Sequence, residues 1–370
     1  MSNPSFWRGR RVLLTGHTGF KGSWLLLCLL ELGAEVWGYA LEPESDPNLF
    51  AQLFHTHRAH WNWHHTVGDI CDTDKISSII ERCQPQVVLH LAAQPLVRKS
   101  YQDPLGTWRT NVIGSLTVLE AIKHLNHKCS VVMVTSDKVY ENQEWHFGYR
   151  EIDRLGGHDP YSSSKASVEL AVASWRASFC NLTNGQPSNL RIATARAGNV
   201  IGGGDWAEDR IVPDVMRALA KDQIIQLRNP KATRPWQHVL EPLSGYMSLA
   251  EQLSESDEPR CEAFNFGPLP DSNKNVEELV DLIFTHWKGE WQLIGEQSAP
   301  HESQLLHLEI SKAKHALNWV PRWSIEKTIE KTVQWYKKVC FCETTPLECC
   351  LDDIRSYGSL DPLKKQDQLQ

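Results

Sequence analysis

Along the first two hundred positions, short compact runs of apolar residues alternate with longer segments of helical spacing. Strands are predicted at Arg11–Thr15, Glu35–Leu41, His64–Val67, Val87–Ala92, Ser130–Thr135 and Asn189–Arg196, and helices at Phe20–Leu32, Asp72–Cys83, Asp103–Leu125 and Tyr161–Phe179. Continuous apolar strands separated by helices imply a parallel sheet covered on both faces. The expected fold is therefore α/β, a Rossmann-type doubly wound parallel sheet with ligands at the carboxyl ends of its strands. After Gly198 the alternation breaks into Gly202-Gly203-Gly204-Asp205, a helical stretch Ile211–Ala220, and a loop rich in Arg, Asn and Pro as far as Pro235. Residues 1–198 are accordingly expected to form the dinucleotide-binding domain. Parts of 236–267, namely the helix Glu241–Leu253 and the strand before Asn265, are expected to return to it. Residues 199–340 then make a smaller C-terminal substrate-binding domain, and 341–370 a tail without an assigned role.

Composition narrows the function. With 370 residues, 41% of them hydrophobic, the chain can bury a large core. No apolar run approaches the ~18 residues of a membrane span, and Met1–Arg11 has no apolar signal region, so a cytoplasmic protein is expected. The formal charge of -7 argues against nucleic-acid or anionic-membrane partners. Ten cysteines follow no framework of spacings and read as free thiols. Neither His55, His57, His60, His64 and His65 nor Cys340, Cys342, Cys349 and Cys350 have metal-ligand spacing, and no metal is expected.

The chemistry concentrates at predicted strand ends. Gly16-His17-Thr-Gly19-Phe20-Lys21-Gly22 lies between a strand and a helix, where glycines let the backbone approach a pyrophosphate on the helix N-terminus. Glu42, shortly after the second strand, is placed to grip ribose hydroxyls, and no arginine follows it to favour a 2'-phosphate, so NAD is preferred to NADP. Asp69 and Ile70 follow the third strand and Leu91-Ala92-Ala93-Gln94 the fourth, offering contacts where a dinucleotide crosses the sheet; Asn111 stands in the helix after it. Tyr161 and Lys165, four residues apart, share one helix face, and a nearby ammonium lowers a phenol's pKa towards that of a useful base. Ser136, Asp137 and Lys138 end the fifth strand.

Together these motifs resemble the extended short-chain dehydrogenase/reductases that modify nucleotide sugars. Three longer phrases, running from Gly16 to Trp24, from Arg196 to Trp206 and from Arg228 to Pro242, are similar to those of the CDP-glucose 4,6-dehydratases, and the likeness extends over roughly Trp7 to Tyr336. It implies CDP-glucose as substrate and a reaction of three stages: oxidation at C4, loss of water across C5 and C6, and return of the hydride to C6. The place of such chemistry is deoxysugar and O-antigen or polysaccharide biosynthesis.

The resemblance also implies roles. Tyr161 takes the O4 proton, with Ser136 beside it and Lys165 below; Asp137 is the acid at C6, which requires a raised pKa. Related dehydratases carry a glutamate base where this chain has Lys138, leaving Lys138 either the C5 base or a cation that stabilises an enolate. Arg210, Arg228 and Arg234 suit the diphosphate, and Gln94, Asn199, Asp205, Trp236 and His238 are further substrate candidates, with Trp206 or Trp236 available to stack on a base. His17 and Lys21 are bulkier than the usual residues of the glycine turn, and with the late position of Glu42 they suggest loose retention of NAD. Two long helices, Asp103–Leu125 and Tyr161–Phe179, are candidates to pair copies into a homodimer or homotetramer. Two other readings stay open: a nucleotide-sugar 4-epimerase, which needs no acid at C6, and a non-catalytic dinucleotide-sensing protein.

Overall fold

The computed structural model describes residues 3–55, 58, 60–180, 189–208, 210–294 and 305–358. Six strands lie close to their predicted places: β1 (Arg11–Thr15), β2 (Glu35–Ala40), β3 (Asn62–Val67), β4 (Val87–His90), β5 (Cys129–Val134) and β6 (Leu190–Ala197). A seventh, Ala263–Phe266, pairs parallel with β6, so the chain does return to the sheet after its long excursion. The order from that edge is Ala263–Phe266, β6, β5, β4, β1, β2, β3, all parallel. Chain direction across the sheet reverses between β1 and β4, which opens a crevice beyond their carboxyl ends.

Burial follows position in the sheet. Every residue of β4 and β5 is buried, as befits central strands covered on both faces, whereas the edge strand β3 (Asn-Trp-His-His-Thr-Val) keeps four of its six residues exposed. One face carries the helices Thr73–Cys83, Gly114–Ile122 and Pro160–Phe179; in the first of these Ile76, Ile79, Ile80 and Cys83 make the buried stripe, and Asp72 caps the start by accepting from Lys75 N. The other face carries Phe20–Glu31, buried continuously from Gly22 to Leu30, because it is sandwiched between the sheet and the C-terminal half of the chain.

The predicted helix Asp103–Leu125 is not continuous. Asp103 caps a short helix, Pro104–Trp108, which passes through one π-turn, Arg109–Ile113, into Gly114–Ile122. The bulge turns Asn111 into the interior, where its amide finds fixed partners.

Beyond residue 198 the described residues form three small two-stranded ladders, Val200–Ile201 with Gln237–His238, Thr233–Pro235 with Asn273–Asn275, and Ile225–Leu227 with Trp291–Leu293. The segment after 340, expected as a tail, instead folds as far as 358 into a helix, Pro346–Tyr357, with a Thr345/Glu348 capping box and Gly358 as a left-handed stop. Cys350, Ile354 and Tyr357 enter the main core, and the Tyr357 hydroxyl donates to Glu241 at 2.5 Å. Residues 359–370 lie outside the described part.

Candidate active site

The glycine turn is shaped by close approach. Gly16 has φ +75°, and a Cβ there would meet Ala92 N at 2.7 Å; one on Gly22 would meet Gly16 O at 2.0 Å. β1 can therefore run past the end of β4 and enter a helix with no side chain between them. Gly19 is the N-cap and no side chain caps this end, which leaves first-turn amides directed at the crevice. A bare helix N-terminus of twelve residues behind a Cβ-free turn fits a dinucleotide's diphosphate.

The two large residues of this turn go to different places. His17 is fully buried beneath it: its ring lies against Gly38 and its Nε2 is 2.7 Å from His65 Nδ1. Burial and the neighbouring His65 push His17 down to about 3, so it stays neutral. Lys21 points to the other end, where burial and Arg210 push it down to about 8 against the pull of Asp137. Phe20 faces Gly202. Further along the crevice Glu42 is exposed beyond β2 and its charge acts on His65. Asp69 Oδ1 accepts from Cys71 N, and Ile70 is a core residue against Gly114. Leu91, Ala92 and Ala93 line the end of β4, half-buried.

At the end of β5, Ser136 caps a single 3-10 turn, Asp137–Val139, by accepting from Lys138 N. Its Oγ donates to Asp137 Oδ1 at 3.0 Å, and Asp137 is almost completely buried. Tyr161 and Lys165 come from the first turns of Pro160–Phe179, where Asp159 caps and Pro160 opens the helix. Lys165 Nζ donates to Val134 O at 3.4 Å.

Here one expectation is corrected. The Tyr161 phenol is not lowered but pushed up to about 12: burial dominates and Asp137 adds to it, while the Ser136 hydroxyl and Arg210 work in the opposite direction. Lys165 is itself pushed down to about 8 by burial and by Lys21, against Glu169. Burial outweighs the two groups, Ser136 and Arg210, that favour the phenolate.

Other site candidates sort by place. Arg210 Nη1 donates to Asp205 Oδ2 at 2.8 Å, and its charge reaches Tyr161 and Lys21, so this arginine stands with the strand-end group. Asn111 Nδ2 donates to Ser164 Oγ at 2.8 Å and its Oδ1 accepts from Gln94 N. The Gln94 amide is bound to Leu96 in its own loop and to Thr107 Oγ1 on the helix Pro104–Trp108. Asn199 is half-buried in the turn after β6. Arg228 is exposed, and Arg234 lies on Thr233–Pro235 with Nη1 on Thr233 O.

Trp236 and His238 are core residues rather than crevice residues. Trp236 is buried with its indole N–H on Lys274 O; the His238 ring sits between Trp24 and Trp323, accepts from Leu240 N, and is pushed down to about 3 by burial and Lys331. Trp206 packs edge-on against Tyr336 with its N–H on Gln52. Trp236, being buried, presents no free face for stacking, whereas Trp206 is only half-buried. Among the described residues no three His, Cys, Asp or Glu converge as metal ligands; His64 stacks on Trp37, His65 meets His17, and His57 lies outside them.

Sequence reasoning missed Glu169 and Arg196, a fully buried ion pair at 2.8 Å directly behind Lys165. The signal was present, since Glu169 follows Lys165 by one more helical turn.

A parallel sheet with this glycine turn and with Ser136, Tyr161 and Lys165 gathered at its strand ends defines a dinucleotide-binding enzyme of the extended short-chain dehydrogenase/reductase kind. A profile of the GDP-mannose 4,6 dehydratase family matches residues 13–332, and the chain belongs to that family. The CDP-glucose 4,6-dehydratase of Salmonella typhimurium is 46% identical over 363 residues, 97% of this chain and 99% of that protein. In fold the chain resembles the dTDP-glucose 4,6-dehydratase of Bacillus anthracis solved with NAD (TM-score 0.73, 22% identity, 89% of this chain and 97% of that one). It is equally similar to the UDP-glucose 4-epimerase of Thermotoga maritima (TM-score 0.73, 21% identity, 88% and 98%).

Proposed function

We propose that this protein is an NAD-dependent hydro-lyase that converts CDP-D-glucose to CDP-4-dehydro-6-deoxy-D-glucose. The observation that carries the reading is the buried Asp137 carboxylate, held by Ser136 beside Tyr161. An acid at that place serves departure of the C6 hydroxyl, which a 4-epimerase does not require, and the likeness to the Salmonella enzyme runs over nearly the whole of both chains.

Gly16, Gly19 and Gly22 with the first-turn amides would hold the cofactor's diphosphate, Glu42 and Asp69 its adenosine end, and Tyr161 and Lys165 its nicotinamide ribose. When bound, NAD would supply the hydride acceptor for C4 and the hydride donor for C6. Tyr161 receives the O4 proton, with Ser136 as a hydrogen-bond partner. Asp137, beside Tyr161 and almost completely buried, is the group placed to serve the C6 oxygen. Lys138, next along the turn, is our candidate for removing the C5 proton. The cations Lys21 and Arg210 keep the group electropositive and suit the charge that develops on O4. Arg228 and Arg234 are retained as diphosphate contacts.

Copies are expected to pair through the segment 104–122 and the helix Pro160–Phe179, where Leu105, Ile113 and Leu170 are exposed apolar side chains at 83%, 51% and 61%. Among the described residues no helix is long and apolar enough to cross a membrane, and our reading is a cytoplasmic enzyme.

The test is incubation with CDP-glucose and NAD+ followed by mass spectrometry of the sugar nucleotide. A product lighter by one water supports the dehydratase; an isobaric epimer or unchanged substrate overturns it. Competition among CDP-, TDP-, GDP- and UDP-glucose tests the base.

A further inference from the structure

We infer that Glu169, paired with Arg196 behind the strand ends, is a positioning residue that supplies the counter-charge of Lys165 and fixes the end of β5 for Ser136 and Asp137. Glu169 lies one turn beyond Lys165 and two beyond Tyr161 on the same helix face. The two side chains grip consecutive residues, the last of β5 and the one that follows it. Lys165 Nζ donates to Val134 O, and Thr135 Oγ1 donates to Glu169 Oε1 at 2.5 Å, immediately before Ser136. The second oxygen, Oε2, accepts from Thr194 Oγ1 and from Arg196 Nη2, both at 2.8 Å on β6. Arg196 Nη1 continues to the Tyr140 hydroxyl, which donates to Asn265 Oδ1 on the seventh strand. The helix, the residue after β5 and β6 thus meet at one carboxylate, and Arg196 extends the network through Tyr140 to the seventh strand.

Such a pair is a poor way to gain stability. Glu169 and Arg196 are 99% and 96% buried by side chain, and the desolvation of two charges commonly cancels their attraction. No cap or ladder in this helix–sheet interface needs a charge, so packing alone would be served by apolar residues. What the carboxylate does offer is a negative charge beside a lysine otherwise faced by Lys21 from the helix Phe20–Glu31 and by His90 from the end of β4, which burial and Lys165 hold neutral at about 3. Burial pushes Glu169 up, but Arg196, Thr135 and Thr194 outweigh it and keep it below the usual carboxylate value, hence charged. Against it, burial and Lys21 bring Lys165 down to about 8.

The inference rests on Lys165 and Tyr161 being the acid–base pair of the proposed reaction, and its test separates the two. Glu169→Gln removes the charge while leaving Arg196, and Glu169→Leu/Arg196→Met removes both with similar volume. Turnover of CDP-glucose is measured against pH, and the Lys165 side chain is titrated by NMR on lysine-labelled protein, with Lys165→Arg for assignment. The basic limb of turnover and the Lys165 titration should both move to lower pH, by about one unit or more in Glu169→Gln. The shift should be smaller but of the same sign in the double variant, which also covers failure of the single variant to fold. A folded double variant with both curves at the wild-type position overturns the inference. If wild-type protein does not dehydrate CDP-glucose, the functional reading falls, and the NMR titration still decides the role of Glu169.

Discussion

The guanidinium of Arg210 is held at 2.8 Å by the buried carboxylate of Asp205, and from there its charge lowers the Tyr161 phenol. The anchor fixes that charge close to the proton-transfer group. Arg210→Met should therefore act on the proton transfer as well as on binding. Losing a cation that favours the phenolate raises the phenol further, so the acidic limb of kcat against pH should move up by about one unit. A variant whose KM rises while the shape of the profile stays fixed would return Arg210 to the diphosphate.

Tyr161→Phe keeps the ring in its buried place and removes the proton acceptor. Turnover should fall by at least ~100-fold, the scale of a lost acid–base group. Thermal stability, read by melting, should change little, and NAD+ affinity, read by calorimetry, should fall far less than turnover because Lys165 and the glycine turn keep their contacts. Near-normal turnover would mean that another group takes the O4 proton.

Asp137→Asn tests the elimination separately from the oxidation. Its proton is needed only when the C6 hydroxyl leaves, so the variant should oxidise substrate and stop there. On mixing with CDP-glucose, the near-ultraviolet absorbance of reduced nicotinamide should build up while dehydrated product falls by at least ~100-fold. Full turnover without such a build-up would remove Asp137 from the chemistry.

Sequence pattern located the central strands well because they are continuous apolar runs whose burial depends on few long-range details, and β1 lies where its residues alone place it, whereas the polar edge strand β3 was legible only from His64 on. Patterning could not show that Asp103–Leu125 breaks into a π-turn, since the break serves Asn111 hydrogen bonds to Gln94 and Ser164 that are distant in sequence. Trp236 and His238 look like a binding loop because they follow two arginines, yet both are core residues once Trp24 and Trp323 close round the imidazole. Lys21 reads as part of the glycine turn, and only the fold brings its charge to Asp137. The helix Pro346–Tyr357 was legible in part: Thr345-Pro346-x-Glu348 is a capping box. Its partner Glu241 is more than a hundred residues away.

Gly16→Ala tests the cradle without touching an ionisable group. A side chain at φ +75° is strained, and here the added carbon would also lie 2.7 Å from Ala92 N, in backbone that cannot yield easily. A loss of about 1–3 kcal/mol in unfolding free energy is expected, with weakened NAD+ binding. Equal stability and equal affinity by melting and calorimetry would show that the turn relaxes.

The N-terminus offers a pH test outside the site. Glu251 Oε1 accepts from Trp7 Nε1 at 2.6 Å and from Asn3 N at 2.8 Å, tying the first helix to Leu240–Glu255. Burial pushes Glu251 up to about 7, with Glu255 adding and the two donors opposing. Its folded value thus lies above the ~4.3 of an ordinary glutamate, so the fold prefers the protonated acid. That contribution is complete below the ordinary value and is lost as pH rises through about 7. Glu251→Gln keeps an acceptor for both donors and has no proton to lose. The variant should melt close to wild type near pH ~4 and above it near pH ~8, the gap opening across the intervening range. Wild-type and variant melting temperatures that run parallel through this range would mean that Glu251 does not change charge there.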